Sequence, residues 1–131
     1  MKRAIPALLL VPMLLAATEA LPPTALASLQ PGRWVLSSPS SSKRELCIGD
    51  PRALIQIQHR ATACSRYVID NQPRSATIHY TCPGAGHGQT TVRVETPRLA
   101  QIETQGIASG SPFALSIEAR RVGNCAGSGA R

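Results

Sequence analysis

Ala76-Thr77-Ile78-His79-Tyr80-Thr81-Cys82, a glycine-rich break at Pro83-Gly84-Ala85-Gly86-His87-Gly88, and then Thr90-Thr91-Val92-Arg93-Val94-Glu95 form the stretch that decides the fold class. Ala76, Ile78, Tyr80 and Cys82 fall on one side of a period-two pattern, opposite Thr77, His79 and Thr81. After the break Thr90, Val92 and Val94 alternate with Thr91, Arg93 and Glu95. Alternation of this kind marks half-buried strands, and glycine with proline between two such runs marks a hairpin loop. The Gly-rich break has no Lys-Ser/Thr to hold a nucleotide phosphate and is followed by a strand pattern, so it is not a phosphate loop.

The same period extends in both directions. Gly32 to Ser37 aligns Trp34 with Leu36, and Lys43 to Ile48 aligns Leu46 with Ile48, across a Ser/Pro loop at 38–42. Cys64 to Asp70 alternates ahead of a turn at Asn71-Gln72-Pro73-Arg74. Thr96-Pro97-Arg98 turns the chain into Leu99 to Gln105, and a last loop, Gly106 to Pro112, leads into Phe113 to Arg120. Between Ile48 and Cys64 the pattern changes. Asp50 is an N-cap, Pro51 suits a first helical position, and Leu54 and Ile57 are three apart, predicting a short helix over 51–58 with His59 solvated at its end. The fold expected is mainly β: one domain, a bent antiparallel sheet or open β-barrel-like meander of about seven strands, with one short helix.

The chain has 131 residues, 43% of them hydrophobic and 16% charged, which excludes wholesale disorder and more than one domain. Met1-Lys2-Arg3 precedes an apolar run from Ala4 to Ala17. As a helix that run rises about 21 Å, short of a hydrocarbon core of roughly 30 Å, and Pro6 and Pro12 interrupt it. A positive start, a short apolar run and small residues at Thr18-Glu19-Ala20 or Ala25-Leu26-Ala27 predict a secretory signal peptide over 1–27, cut between 20 and 27. The expected layout is then an exported β-domain over 28–125 and a loose tail over 126–131. The product is expected in the periplasm or outside the cell and not as an integral membrane protein.

Cys47, Cys64, Cys82 and Cys125 all lie beyond the cut. An even set in a small exported domain predicts two disulfides, and spacing leaves three connectivities open. Cys47–Cys64 with Cys82–Cys125 is the expected pairing, since the first pair flanks the short helix and the second ties down the tail.

No catalytic constellation stands out. Ser109-Gly110-Ser111 lacks the Gly-x-Ser-x-Gly context of a nucleophile elbow. His79-x2-Cys82-x4-His87 could present two imidazoles and a thiolate to zinc or copper, but Cys82 is expected in a disulfide, leaving His79 and His87 as weak metal candidates and a possible hydrolytic pair with Glu95 or Glu103. No cofactor is implied. The charge of +7 comes almost entirely from dispersed arginines, and with Trp34, Tyr67, Tyr80 and Phe113 the only aromatics, base-stacking platforms for nucleic acid are missing. Arginine does suit carboxylates and phosphates, so an anionic envelope partner or ligand is expected, with Arg120 and Arg121 as its local cluster. If the sheet encloses an apolar ligand such as a lipid, Trp34, Tyr67 and Phe113 are the side chains to line the site.

Leu29-Gln30-Pro31-Gly32-Arg33-Trp34, a Cys-x-x-Asp-Pro start to the short helix, Ala63-Cys64-Ser65, Tyr80-Thr81-Cys82 and Arg120-Arg121-Val122-Gly123-Asn124-Cys125 together resemble the exported bacterial family called domain of unknown function 3617. The resemblance spans Leu29 to Cys125. It implies an exported, mainly antiparallel β-domain and carries no activity and no catalytic residues. The expected function is a non-enzymatic binding or interaction module of the cell envelope.

Overall fold

In the computed structural model, residues 22–60 and 63–126 are described. The expected leader up to Leu21 and the tail beyond Ala126 lie outside them. The described residues form one seven-stranded antiparallel sheet: β1 (Gly32–Ser38), β2 (Ser41–Ile48), β3 (Ser65–Asn71), β4 (Ser75–Cys82), β5 (Gly86–Thr96), β6 (Leu99–Ala108) and β7 (Ser111–Gly123). The strand order is β2-β1-β7-β6-β5-β4-β3, so the chain would close on itself if β2 and β3 paired. They do not. Six antiparallel pairings separate them, an even number, so β2 and β3 run in the same direction. The chain leaving the end of β2 must therefore travel the full height of the sheet to begin β3.

The described part of that connector, residues 49–60 and 63–64, crosses the inner face of the sheet. Leu54, Ile55, Ile57 and His59 are all buried. The Ile55 carbonyl accepts from Thr90 Oγ1 of β5, and the ring of His59 reaches Tyr80 of β4 and the Ile107 carbonyl of β6. Gln58 lines a hollow with Leu36 of β1, Arg44 of β2 and Leu115 of β7. The sheet thus wraps around its own connector. The expected helix over 51–58 is replaced by two 3-10 turns, Pro51–Leu54 and Ile57–His59. Burial at 54, 55, 56, 57 and 59 is not the stripe of one α-helical face, so contacts with the surrounding sheet outweigh continuous helix. Asp50 does cap the first turn, its carboxylate accepting from Arg52 N–H at 2.9 Å.

The strand patterns place the core as the alternation predicts. Rows of inner side chains run across the sheet: Leu36, Ala119, Ala100 and Val94; then Ile117, Ile102, Val92 and Ala76; then Leu115, Thr104, Thr90, Ile78 and Val68. The next row is Phe113, Gly106, Gly88, Tyr80 and Arg66. Its two glycines make room: a Cβ on Gly88 would collide with the Tyr80 phenol, which occupies that space. The loops flanking this end are shorter than expected. β5 begins at Gly86, which puts His87 in a strand, and β6 and β7 join through a two-residue turn with Ser109 and Gly110 both at positive φ.

The single α-helix among the described residues, α1 (Thr24–Ala27), lies where the leader was expected to end. Ala25 and Leu26 are fully buried in the core cluster, and Thr24 N–H donates to Asn71 Oδ1 at 3.0 Å. The folded unit therefore starts ahead of residue 28. The disulfides also differ from the expected pairing: Cys47 joins Cys125 and Cys64 joins Cys82. Cys47 and Cys125 both flank Arg33 of β1, one on β2 and one just past β7. Cys64 sits immediately before β3, opposite the end of β4, because Ser65 pairs with Thr81. Sheet order, invisible to sequence spacing, makes these the neighbours.

Candidate functional site

The expected ligand-lining trio is not assembled. Trp34 is 1% exposed, its indole N–H donating to the Gln30 carbonyl at 3.0 Å. Tyr67 is 69% exposed on the outer face of β3. Phe113 is half-buried at the far end of β7, with its ring centroid 5.9 Å from that of His59. Arg120 and Arg121 do not form a cluster either. Arg120 pairs with Glu118 at 3.2 Å, while Arg121 donates to the Pro31 carbonyl and to Asn124 Oδ1.

His79 and His87 are brought together on the outer face of β4 and β5, with ring centroids 6.0 Å apart. Cys82 cannot complete a metal set with them. Its sulfur is bonded to Cys64, and the alternation of β4 directs it to the opposite face. Among the described residues no group of three or more His, Cys, Asp or Glu could hold a metal ion. Glu103 accepts from Ser116 Oγ at 2.7 Å and Glu95 from Gln101 Nε2 at 3.4 Å.

His59 overturns the expectation of a solvated residue at a helix end: it is 4% exposed. Its Nε2 lies 3.2 Å from the Ala85 carbonyl and 3.1 Å from the Ile107 carbonyl, both acceptors, so Nε2 carries the proton. Nδ1 is then the acceptor for the Tyr80 hydroxyl at 2.9 Å. Burial pushes the Tyr80 phenol up, opposed by a hydrogen bond from Thr104. This buried polar group locks the end of the connector against β4 and β6. The sequence signal was Gly86, Gly88 and Gly106, small residues that open the inner face at this end.

The seam between the connector and β3 gathers residues that sequence reading left scattered. Arg66 stands on the inner face in register with Tyr80, and its guanidinium donates to Gln56 Oε1 at 2.9 Å. Arg52 closes on Asp50 at 2.6 Å. Hydrogen bonding to Arg52 is the main cause holding the Asp50 carboxyl below its usual value, against a smaller opposing effect of burial. Burial lowers the pKa of Arg66, and the neighbouring Arg52 charge adds to that. Asp50, Arg52, Ala53, Gln56, Arg60 and Arg66 line one hollow along this seam. Val68, Ile78, Ile55, Cys64 and Pro23 line another with the same Arg52 and Arg66. Beside it Tyr67, Val68 and Ile69 remain exposed on an edge strand whose second side pairs with no strand among the described residues.

No protein-family model, curated protein or solved structure matches the chain. No helix of the described residues is long and apolar enough to cross a membrane.

Proposed function

We propose that this chain is an exported, non-catalytic binding domain of the bacterial cell envelope, and that its binding surface is the seam beside β3. The observation that carries this reading is the open seam itself. A strand edge unpaired among the described residues, the exposed Val68 and an arginine-lined groove coincide there. Edge strands with exposed apolar residues are sites of association unless something covers them. Export is supported by the positive start and short apolar run of the first 17 residues and by the bonding of all four cysteines in disulfides, the state an oxidising compartment maintains. The resemblance to domain of unknown function 3617 points to the same placement.

The test is a heteronuclear NMR titration of the oxidised domain with small molecules and lipids extracted from a bacterial envelope. Shifts concentrated in β3 and residues 50–60 are expected. Shifts confined to the His79–His87 surface, or none at saturating extract, would overturn the reading.

A further inference from the structure

The two seam hollows are about 280 Å³ each and share Arg52 and Arg66 as their common wall. One is apolar, floored by Ile55, Val68 and Ile78. The other sets Arg52, Arg60 and Arg66 against one carboxylate, Asp50. Among the described residues, positive charge therefore exceeds negative in a partly buried groove. Burial is the main cause of the lowered pKa of Arg66; the Arg52 charge adds to it, and Asp50 offsets only part of that repulsion. An anion held between the guanidiniums would remove that repulsion.

Resting on the reading of the seam as the binding surface, we infer that the groove takes a single-chain amphiphile with a phosphate head, the phosphate on Arg52, Arg60 and Arg66 and the chain along Ile55, Val68 and Ile78. Guanidinium forks match phosphate oxygens bidentately, and three of them suit a multiply charged tetrahedral head better than a carboxylate with one charge. The apolar hollow lies just below the roughly 300–1,000 Å³ of small-ligand pockets, which suits one chain and not two. Of two further hollows of similar size, one is floored by Leu36, Leu115 and Ile117 and rimmed by serines with Arg44 alone, and the other carries Glu103 and no arginine.

An inward-facing charge on an edge strand can also serve only to prevent edge-to-edge pairing. Titration calorimetry on the oxidised domain separates the two roles, using dodecyl phosphate, dodecanoate, dodecyl maltoside and inorganic phosphate below micelle-forming concentrations. Dodecyl phosphate is expected to bind one to one, at least about tenfold tighter than the other three, since a charged hydrogen bond is worth about that factor or more. Arg60→Gln and Arg66→Gln should each weaken it about tenfold, and Val68→Ser should weaken dodecyl phosphate while leaving inorganic phosphate unchanged. Arg60 is exposed, so its variant tests the site even if Arg66→Gln unfolds. Equal binding of the maltoside or of dodecanoate would overturn the inference. So would unchanged affinity in the arginine variants, including an Arg66→Gln protein that only gains self-association. Seam shifts with envelope extract but no dodecyl phosphate binding would leave the binding surface standing and remove this ligand.

Discussion

Tyr80 and His59 show how much one buried polar pair can fix. The Tyr80 hydroxyl donates to His59 Nδ1, while His59 Nε2–H is shared by two backbone carbonyls, Ala85 in the β4–β5 turn and Ile107 on β6. Replacing Tyr80 by Phe leaves a buried acceptor without its donor, a loss of about 1–3 kcal/mol. The pH dependence follows from the direction of the Tyr80 shift. A phenol held above its ordinary 10.0 in the folded state stays protonated after the unfolded chain has ionised. Its contribution is thus complete below pH 10 and lost as pH rises through the folded value. Urea unfolding of the native chain should show stability falling above pH 10, and Tyr80→Phe should be less stable at pH 7 but flatter on that alkaline limb. A parallel fall in both proteins would remove Tyr80 from this role. His59 was legible only as a polar residue after an apolar run; nothing in its neighbours along the chain reveals the carbonyls of Ala85 and Ile107 that receive its proton.

Among the elements, the strands were the most legible and the two helical pieces the least. Strands β4 to β7 announce themselves by alternation because each buries one face, and the pleat turns that burial into a period of two. The connector has no such period, since the sheet surrounds it. Helix α1 was hidden for a different reason: small and apolar residues such as Ala25-Leu26-Ala27 satisfy a signal-peptidase site and a core helix equally well. Under the proposed export, their burial places the expected cut at the Ala20 end of the window. A chain beginning at Leu21 should fold with full stability, and one beginning at Ser28 should lose about 2–5 kcal/mol, the cost of deleting a buried leucine. In a domain of this size that lowers Tm by about 10 °C or more. Thermal unfolding of the two chains measures the difference, and equal midpoints would show that α1 is dispensable.

For the whole molecule the cross-links bear on stability and on the seam together. Cys64–Cys82 holds the start of edge strand β3 to β4, and Cys47–Cys125 ties β2 to the chain beyond β7. With sequence separations of 18 and 78, loop-closure entropy assigns them about 3 and about 4.5 kcal/mol. A small domain has only about 5–15 kcal/mol in total, so reduction of both should unfold it near room temperature or slightly above. Replacing Cys64 and Cys82 by serine should lower Tm and raise hydrogen exchange in β3 before other strands. Uniform exchange across the sheet would show that β3 does not depend on its bridge. A non-reducing peptide map should recover Cys47 with Cys125 and Cys64 with Cys82.

The amino-acid sequence by itself determined the class of structure, because alternation, turn residues and an even set of cysteines are local or compositional signals. Most strands, the inner apolar face and the capped turn at Asp50 follow from residues close in the chain. Only the tertiary structure decided which cysteines meet, that the connector runs through the inside of the sheet, and that Arg52, Arg60 and Arg66 share one groove. All three depend on strand order: β1 lies between β2 and β7, and an odd number of antiparallel strands leaves β2 and β3 running the same way, which sends the connector across the sheet. No single segment records that order.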